Sequence, residues 1–282
     1  MFIPILVALT GTIILNIGFV LQKSEAEKLP PFITKDISNS LRKILKCRIW
    51  LFGTLLTTSG WLFFLIAISL APLTVIAPLS NAGVIILAVI SIFYLKESLH
   101  IYEWIGFCAI LVGVIFIPIY SIPVTSDGVE FDTFLLVIIT IIALIGLIIL
   151  KISQKLLFPL KNGSILGIAS GVTAGLGSAF TKMLGLLAEE LIPLLIALLF
   201  VGIFQILSFL TLQTAFQQER ATIVVPLFNS FATLLPLIYG VFVFSETIPI
   251  GQLMGIILMV LGASALFQFS GKDFSSKIQD DY

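Results

Sequence analysis

Residues 74–81 read TVIAPLSN and residues 222–229 read TIVVPLFN, so the pattern T-x-x-x-P-L-x-N occurs twice in the chain. Each copy opens an apolar stretch that ends at an acidic residue, Glu97 in the first copy and Glu246 in the second. Two glycines follow each acid at matching distances: Gly106 and Gly113 in the first copy, Gly255 and Gly262 in the second. Agreement at all these positions requires a single inserted residue, so the chain contains an internal repeat.

The composition places this repeat in a membrane. Apolar residue types make up 59% of the 282 residues and charged types 11%, whereas about a quarter of the residues in a soluble domain are charged. Such a chain is surrounded by lipid, so the lipid bilayer is its first expected partner. The formal net charge is zero, and this charge balance gives no reason to expect nucleic acid as a partner.

Nine apolar stretches are long enough to cross a bilayer, which takes roughly 20 mostly apolar residues in a helix. They cover residues 2–22, 49–70, 73–95, 101–120, 134–150, 164–187, 191–212, 221–244 and 250–267. Apart from Lys182, no charged residue lies well inside any of them. The sequence therefore predicts an all-α polytopic membrane protein with nine transmembrane helices.

The basic residues set the orientation of these spans. With nine spans, every Lys and Arg other than Lys182 falls on one side of the membrane. Loops rich in Lys and Arg stay in the cytoplasm. We therefore expect a protein of the plasma membrane with its N-terminus outside and its C-terminus in the cytoplasm.

The two copies are expected to form inverted four-helix repeats joined by one linking helix. Spans one to four match spans six to nine, and the unpaired span five makes the second set cross the membrane in the opposite sense. Gly18 and Lys23 in span one match Gly177 and Lys182 in span six more weakly. Inverted repeats are typical of transporters that alternate access around a site near the midplane.

This organisation divides the chain into four parts. They are a first repeat at 1–120 that includes a cytoplasmic loop at 23–48, an outer loop with linking span five at 121–150, a second repeat at 151–270, and a cytoplasmic tail at 271–282.

Several short motifs resemble those of a known family. Residues 19–23, FVLQK, are similar to its F-I-L-K-K, and residues 71–79, APLTVIAPL, to its A-P-A-T-L-V-T-P-L. Residues 94–99, YLKESL, resemble F-L-K-E-R-L, and residues 222–226, TIVVP, resemble S-I-V-T-P. The family is the drug/metabolite transporter superfamily, which includes EamA-like carriers, and the closest branch is the NIPA-like magnesium transporters. The resemblance implies two inverted bundles around a central cavity and a secondary carrier or facilitated pathway.

Polar residues inside the spans are the first candidates for a substrate site, because polar groups are costly in lipid and tend to face a cavity or another helix. The best candidates are Asn16, Asn81, Asn229 and Gln205. Their amide oxygens can replace water around a cation, and their amide protons can bind a polar solute. The alternative is that each amide holds two helices together.

The repeated prolines and the charges near the span ends supply further candidates. Pro78 and Pro226 lack a backbone donor, so they are predicted helix breaks that free the carbonyls of Thr74 and Thr222 for a hard cation. The alternative is that each proline simply lies in a first helical turn. Three charges are expected at the rim of the pathway: Glu97 at the cytoplasmic face, Glu246 at the outer face, and Lys182 toward the outer face with Glu189, Glu190 or a substrate anion as its partner.

These features favour a secondary transporter of a small solute that works by alternating access. The sequence contains no enzyme or nucleotide-binding motif, so we expect neither catalysis nor a cofactor, and it defines no metal site. The resemblance makes Mg²⁺ or another divalent cation the leading substrate. A drug/metabolite carrier of the EamA type is the alternative, because carboxylates are scarce inside the spans. A non-transporting membrane scaffold is a third class, and a homo-oligomer is left open.

Overall fold

The computed structural model describes residues 2–30, 43–95, 101–120, 131–156, 162–187 and 190–270, and in these residues the secondary structure is helical. The α-helices are α1 (Phe2–Ala26), α2 (Arg48–Leu70), α3 (Leu73–Leu79), α4 (Val84–Ile90), α5 (Ile101–Ile119), α6 (Thr133–Leu156), α7 (Asn162–Leu186), α8 (Leu191–Phe216), α9 (Ala221–Phe242) and α10 (Ile250–Ser270).

Six of these helices, α1, α2 and α6 to α9, are long and apolar enough to cross a membrane. Two shorter apolar segments, Trp104–Ile117 in α5 and Ile250–Gly262 in α10, accompany them. The linking helix α6 is longer than the predicted 134–150. Only 6% of its apolar window is buried, whereas 89% of the window in α7 is buried. The apolar side of α6 therefore faces outward, and α7 lies in the middle of the bundle.

The third predicted span is not one continuous α-helix. Residues 73–95 form α3, a 3₁₀ turn at Ser80–Gly83, helix α4 and a π-helical turn at Ser91–Leu95. The interruption follows Pro78, where the sequence predicted a break, because proline removes the backbone donor that would bond the carbonyl four residues earlier.

The matching break predicted at Pro226 does not occur, because α9 runs without interruption through both Pro226 and Pro236. A proline near the start of a helix removes one rung of the hydrogen-bond ladder and leaves the later rungs in place. The Ser230 hydroxyl also donates to the Pro226 carbonyl at 2.7 Å. One sequence pattern thus gives an interrupted segment in the first copy and a continuous helix in the second.

Glycines allow the closest helix contacts. Gly11 of α1 lies against the backbone of Gly60 in α2. About two turns farther along α1, Gly18 lies against the backbone of Gly53. A Cβ atom at Gly11 would come within 2.8 Å of the Gly60 carbonyl oxygen. Small residues at such crossings let two membrane helices approach closely, so α1 and α2 form a tight pair.

A second glycine crossing joins α5 to α10. Gly113 lies against the Gly255 carbonyl, and Gly262 lies against the Gly106 carbonyl. The order of these contacts shows that the two helices run antiparallel. Helix α7 packs in a similar way on α9, where Gly171 lies against the Phe228 carbonyl.

Candidate substrate cleft

A cleft lies between α1, α2, α7, α8 and α9, close to the middle of each helix. It consists of a larger cavity of about 270 Å³ and a smaller one of about 70 Å³. Both cavities are lined by Leu15, Trp61, Gln205 and Phe228. Transporters with repeated helical bundles place their substrate sites near this depth, so the cleft is the candidate site.

The cleft walls are mostly apolar. Its polar groups include hydroxyls from Thr57 and Ser178 and amides from Gln205 and Asn229. None of the described lining residues carries a carboxylate, and the described part of the chain holds no group of three His, Cys, Asp or Glu side chains that could bind a metal. A divalent cation in this cleft would therefore meet neutral oxygens and keep much of its water.

Two of the four predicted amides line the cleft. Gln205 is half-buried and lines both cavities. Its side-chain amide makes no hydrogen bond in the described structure. Asn229 is 1% exposed and lines the smaller cavity. The side chain of Asn81 lies outside what the structure describes.

The fourth amide, Asn16, is fully buried beside the cleft and lies against Gly83 of the 3₁₀ turn. Its Nδ2 donates to the Thr12 carbonyl at 2.8 Å, which fixes the orientation of the amide. Its Oδ1 has no hydrogen-bond partner. Burial of an unsatisfied acceptor is costly, so Asn16 presents an oxygen that can accept from a donor or contact a cation.

The carbonyls around the break at Pro78 are already bonded. Gln252 donates to the Thr74 carbonyl at 2.7 Å, and Thr233 donates to the Ala77 carbonyl at 3.2 Å. The Thr74 carbonyl, which the sequence proposed as a cation ligand, is thus occupied by a side chain of α10. Thr222 is fully buried in the first turn of α9. Neither threonine lines the cleft.

A lysine of α1 contacts the end of α8, about one turn beyond the cleft residue Phe19. Lys23, near the end of α1, is 7% exposed and donates to the Phe216 carbonyl at the end of α8 at 2.7 Å. The same ammonium forms an ion pair of 2.6 Å with Glu27. A cation near the last carbonyls of a helix is favoured by the helix dipole. We call the Lys23–Phe216 contact the first lysine clamp.

Beside this clamp, amides join α1, α2 and α8. Gln213 donates to Gln22 at 2.9 Å, and Trp50 donates to Gln213 at 3.0 Å. Gln22 in turn donates to Thr57 at 3.2 Å and to Thr54 at 3.1 Å. The sequence analysis did not identify this network. Its only signal was a pair of glutamines near span ends, which does not indicate that they meet.

A second lysine, on α7, lies about one turn beyond the cleft residue Ser178. Lys182, near the end of α7, donates to the Ala71 carbonyl just after α2 at 3.2 Å. We call this contact the second lysine clamp. Of the partners predicted for Lys182, Glu190 is exposed and Glu189 lies outside the described residues. Glu97, predicted as a rim charge at the cytoplasmic face, also lies outside the described residues.

Glu246, which the sequence predicted as a rim charge at the outer face, is buried. It is 6% exposed, and its carboxylate accepts from the backbone N–H groups of Leu73 at 3.0 Å and Thr74 at 2.8 Å. These N–H groups belong to the first turn of α3, where a helix lacks internal acceptors for its donors. A charge in the second half of the chain therefore caps a helix in the first half.

Comparison with known proteins fits this arrangement. A family model described as "Magnesium transporter NIPA" matches residues 1–272. The chain belongs to this family. No solved structure matches it.

Relatives of the chain carry the same description. The "Probable magnesium transporter NIPA9" of Arabidopsis thaliana is 32% identical over 190 residues, which cover 60% of this chain and 51% of that protein. The chain thus spans about half of this relative. The "Magnesium transporter NIPA3" of Homo sapiens is 24% identical over 98% of this chain and 72% of its own length. The "Probable 4-amino-4-deoxy-L-arabinose-phosphoundecaprenol flippase subunit ArnE" of Proteus mirabilis is 27% identical over 30% of this chain and 75% of its own length, in line with the wider drug/metabolite transporter superfamily.

Proposed function

We propose that this protein carries Mg²⁺ across the plasma membrane by alternating access, driven by the cation gradient and the membrane potential. The NIPA family assignment supports the substrate class. The observation that carries the mechanism is the pair of lysine clamps, which join helices beyond opposite ends of the cleft.

We further propose nine membrane crossings with the N-terminus outside and the C-terminus in the cytoplasm. The six long helices, the two shorter apolar segments and the interrupted α3–α4 segment together supply that number. The charge distribution supports the direction, because basic loops stay in the cytoplasm. In this orientation Lys23 lies beyond the cytoplasmic end of the cleft and Lys182 beyond the outer end.

The glycine crossing of α5 and α10 supports inverted repeats. The sequence repeat matches Gly106 with Gly255 and Gly113 with Gly262. Exchanging the two copies turns the contact between Gly113 and Gly255 into the contact between Gly262 and Gly106, and both contacts are present. A two-fold axis that lies in the membrane plane and passes through this crossing would exchange these two contacts.

The lysine clamps follow the same relation. Lys23 and Lys182 occupy matching positions in the repeat. Lys23 contacts the end of α8, the second helix of the second repeat, and Lys182 contacts the end of α2, the second helix of the first repeat. Opening one clamp while the other stays closed would expose the cleft to one side at a time. In this proposal, the described structure, with both contacts formed, represents a state in which neither clamp is open.

The cleft suits a cation that is bound weakly and keeps much of its hydration. Oxygens of Gln205, Asn229 and Thr57 can hydrogen-bond to water around Mg²⁺ or replace a few of those waters. Mg²⁺ loses water reluctantly and prefers carboxylates, so low affinity is expected. Inward movement of the double charge gains about 4.6 kcal/mol per 100 mV.

A flux measurement tests this proposal. Purified protein in liposomes should take up Mg²⁺ when a potassium gradient sets the interior negative, and uptake should rise with the potential. Protein-free liposomes and liposomes at zero potential are the controls. Mg²⁺ uptake no faster than that of protein-free liposomes, at every potential, would exclude Mg²⁺ as the cargo.

The cleft walls favour a second candidate, a carrier of organic solutes. Phe19, Trp61 and Phe228 face the cleft, and aromatic walls are typical of sites for apolar molecules. This candidate predicts absent Mg²⁺ flux together with quenching of Trp61 fluorescence by a transported aromatic solute. Potential-driven Mg²⁺ flux with no solute-dependent quenching would exclude it.

A further inference from the structure

The cleft has an opening in its side, between α2 and α8. Thr58 of α2 and Ile206 of α8 both line the larger cavity, and both are exposed on the outer surface of the bundle. Each residue lies near the middle of its helix. Exposed residues at that position in a membrane span face the acyl chains of the bilayer, so this opening leads into lipid.

The ends of the cleft contrast with its side. Beyond one end, the first lysine clamp and the Gln22–Gln213 contact join helices, and beyond the other end the second lysine clamp does so. Near the N-terminal end of α2, this helix touches α8 through Trp50 and Phe209, whose ring centroids are 6.1 Å apart. Farther along, the two helices border the cleft from opposite sides. Among the described residues, the larger cavity therefore reaches the outer surface of the bundle at its side, at Thr58 and Ile206.

The chemistry of the larger cavity decides what fills it. Most of its wall is apolar and is formed by Phe19, Phe209, Leu212 and Phe228 together with Ile206. Water is poorly held where few polar groups can bond it, and an empty space deprives the wall of packing contacts. Acyl chains are the molecules that lie next to the opening at this depth.

We propose that one acyl chain of a membrane phospholipid enters between Thr58 and Ile206 and occupies the larger cavity. The chain end lies against Phe19 and Phe228, and the headgroup stays at the membrane surface. The polar groups at Gln205 and Thr57 mark the inner limit of the apolar space. The chain completes the wall that the protein leaves open.

Photolabelling in liposomes tests the proposal directly. The full-length protein is reconstituted with phosphatidylcholine that carries a diazirine near the end of one acyl chain, illuminated and digested, and the adducts are mapped by mass spectrometry. Adducts are expected on the cavity residues Phe19 and Phe228 as well as on lipid-facing residues such as Ile141 and Ile145 of α6, which are 50% and 49% exposed. Adducts confined to the outer faces would overturn the proposal.

A matched pair of variants locates the opening. Ile206 is 63% exposed and borders the opening, whereas Ile203, one turn away on α8, is 49% exposed and does not line the cavity. Ile206→Trp should lower the cavity adducts at least threefold relative to the α6 adducts, and Ile203→Trp should leave the ratio unchanged. Equal effects of the two variants would contradict the opening.

The alternative occupant is a second copy of this protein. A Thr58→Cys protein, with Cys47 and Cys108 replaced by serine, is oxidised in liposomes and run on a non-reducing gel. A monomer band is expected. Disulfide-linked dimers together with absent cavity adducts would show that another copy covers the opening and would overturn the proposal.

Discussion

The carboxylate of Glu246 holds the first turn of α3 through two backbone hydrogen bonds, of which the one from the Thr74 N–H is 2.8 Å long. The two residues come from opposite halves of the chain and from matching parts of its internal repeat. The contact lies between the second lysine clamp and the interrupted third span. It therefore links that end of the cleft to the segment whose helix is broken.

Replacing Glu246 should measurably destabilise the protein. Glu246→Gln keeps one acceptor oxygen but loses the charge-assisted part of both bonds, and a hydrogen bond to a charged group contributes about 1.5 to 3 kcal/mol. We expect a loss of about 1 to 2 kcal/mol, measured as a lower Tm in detergent. Glu190→Gln, an exposed acid before α8, is the control and should leave Tm unchanged. Equal Tm values for the two variants would show that the cap contributes little.

Adding a carboxylate to the cleft should strengthen Mg²⁺ binding. Gln205 lines both cavities, and Mg²⁺ prefers carboxylate oxygens to amide oxygens. Gln205→Glu should lower the KM for Mg²⁺ uptake several-fold, while Gln205→Leu should raise it about tenfold, the equivalent of about 1.4 kcal/mol. Thr211→Glu, on α8 but outside the cleft lining, is the control. An unchanged KM in both Gln205 variants would remove this residue from the Mg²⁺ pathway.

Single cysteines can test the orientation. Lys28 follows α1 and Glu190 precedes α8, and with the proposed crossings they lie on opposite sides of the membrane. In a background without Cys47 and Cys108, Glu190→Cys should react with an impermeant maleimide on intact cells. Lys28→Cys should react only after the cells are permeabilised. Reaction of both from outside would contradict nine crossings.

The crossing of α5 and α10 should not tolerate a side chain. A Cβ at Gly255 would come within 2.7 Å of the Gly113 carbonyl oxygen, and overpacking of this kind costs about 1 to 3 kcal/mol. Gly255→Ala should lower Tm in detergent. Gly185→Ala, where nothing lies within 4 Å of the added atom, should raise Tm slightly, because alanine favours a helix by about 1 kcal/mol over glycine. The same decrease in both variants would argue against a tight crossing.

Hydropathy predicted the long helices well because the bilayer fixes their length. The predicted second span at 49–70 matches α2 almost residue for residue, and the predicted seventh at 191–212 lies within α8. Gln205 and Asn229, two of the polar residues predicted inside the spans, line the cleft. Their role as ligands is still a prediction.

The contacts at the ends of the cleft could not be predicted from hydropathy or from the positions of single polar residues. Gln22 and Gln213 are 191 positions apart, and no local pattern indicates that they share a hydrogen bond. The role of Glu246 could not be predicted either. A carboxylate from the second half of the chain that caps a helix in the first half leaves no pattern in the hydropathy. A signal was nevertheless present, since an acid stands at the same place in both copies of the repeat.

The two prolines show why a repeated motif need not give repeated structure. The carbonyls of Thr74 and Ala77 near Pro78 are bonded by side chains from α10 and α9, so the interrupted segment does not leave them unsatisfied. Pro226 lies within a continuous helix. The sequence pattern is the same at both places, and the difference lies in the side chains packed around it.

The central claim is that the two lysine clamps open alternately, and cysteine accessibility on each side tests it most directly. Ser178→Cys in the smaller cavity, without Cys47 and Cys108, serves as the probe in oriented vesicles. Lys23→Met should raise its labelling from the cytoplasmic side about tenfold or more, because a hydrogen bond from a charged donor is worth about 1.5 to 3 kcal/mol. Lys182→Met should raise labelling from the outer side, and Lys28→Met should change neither. Alternating access would be contradicted if each clamp variant raised the labelling equally from both sides. It would also be contradicted if neither clamp variant raised the labelling.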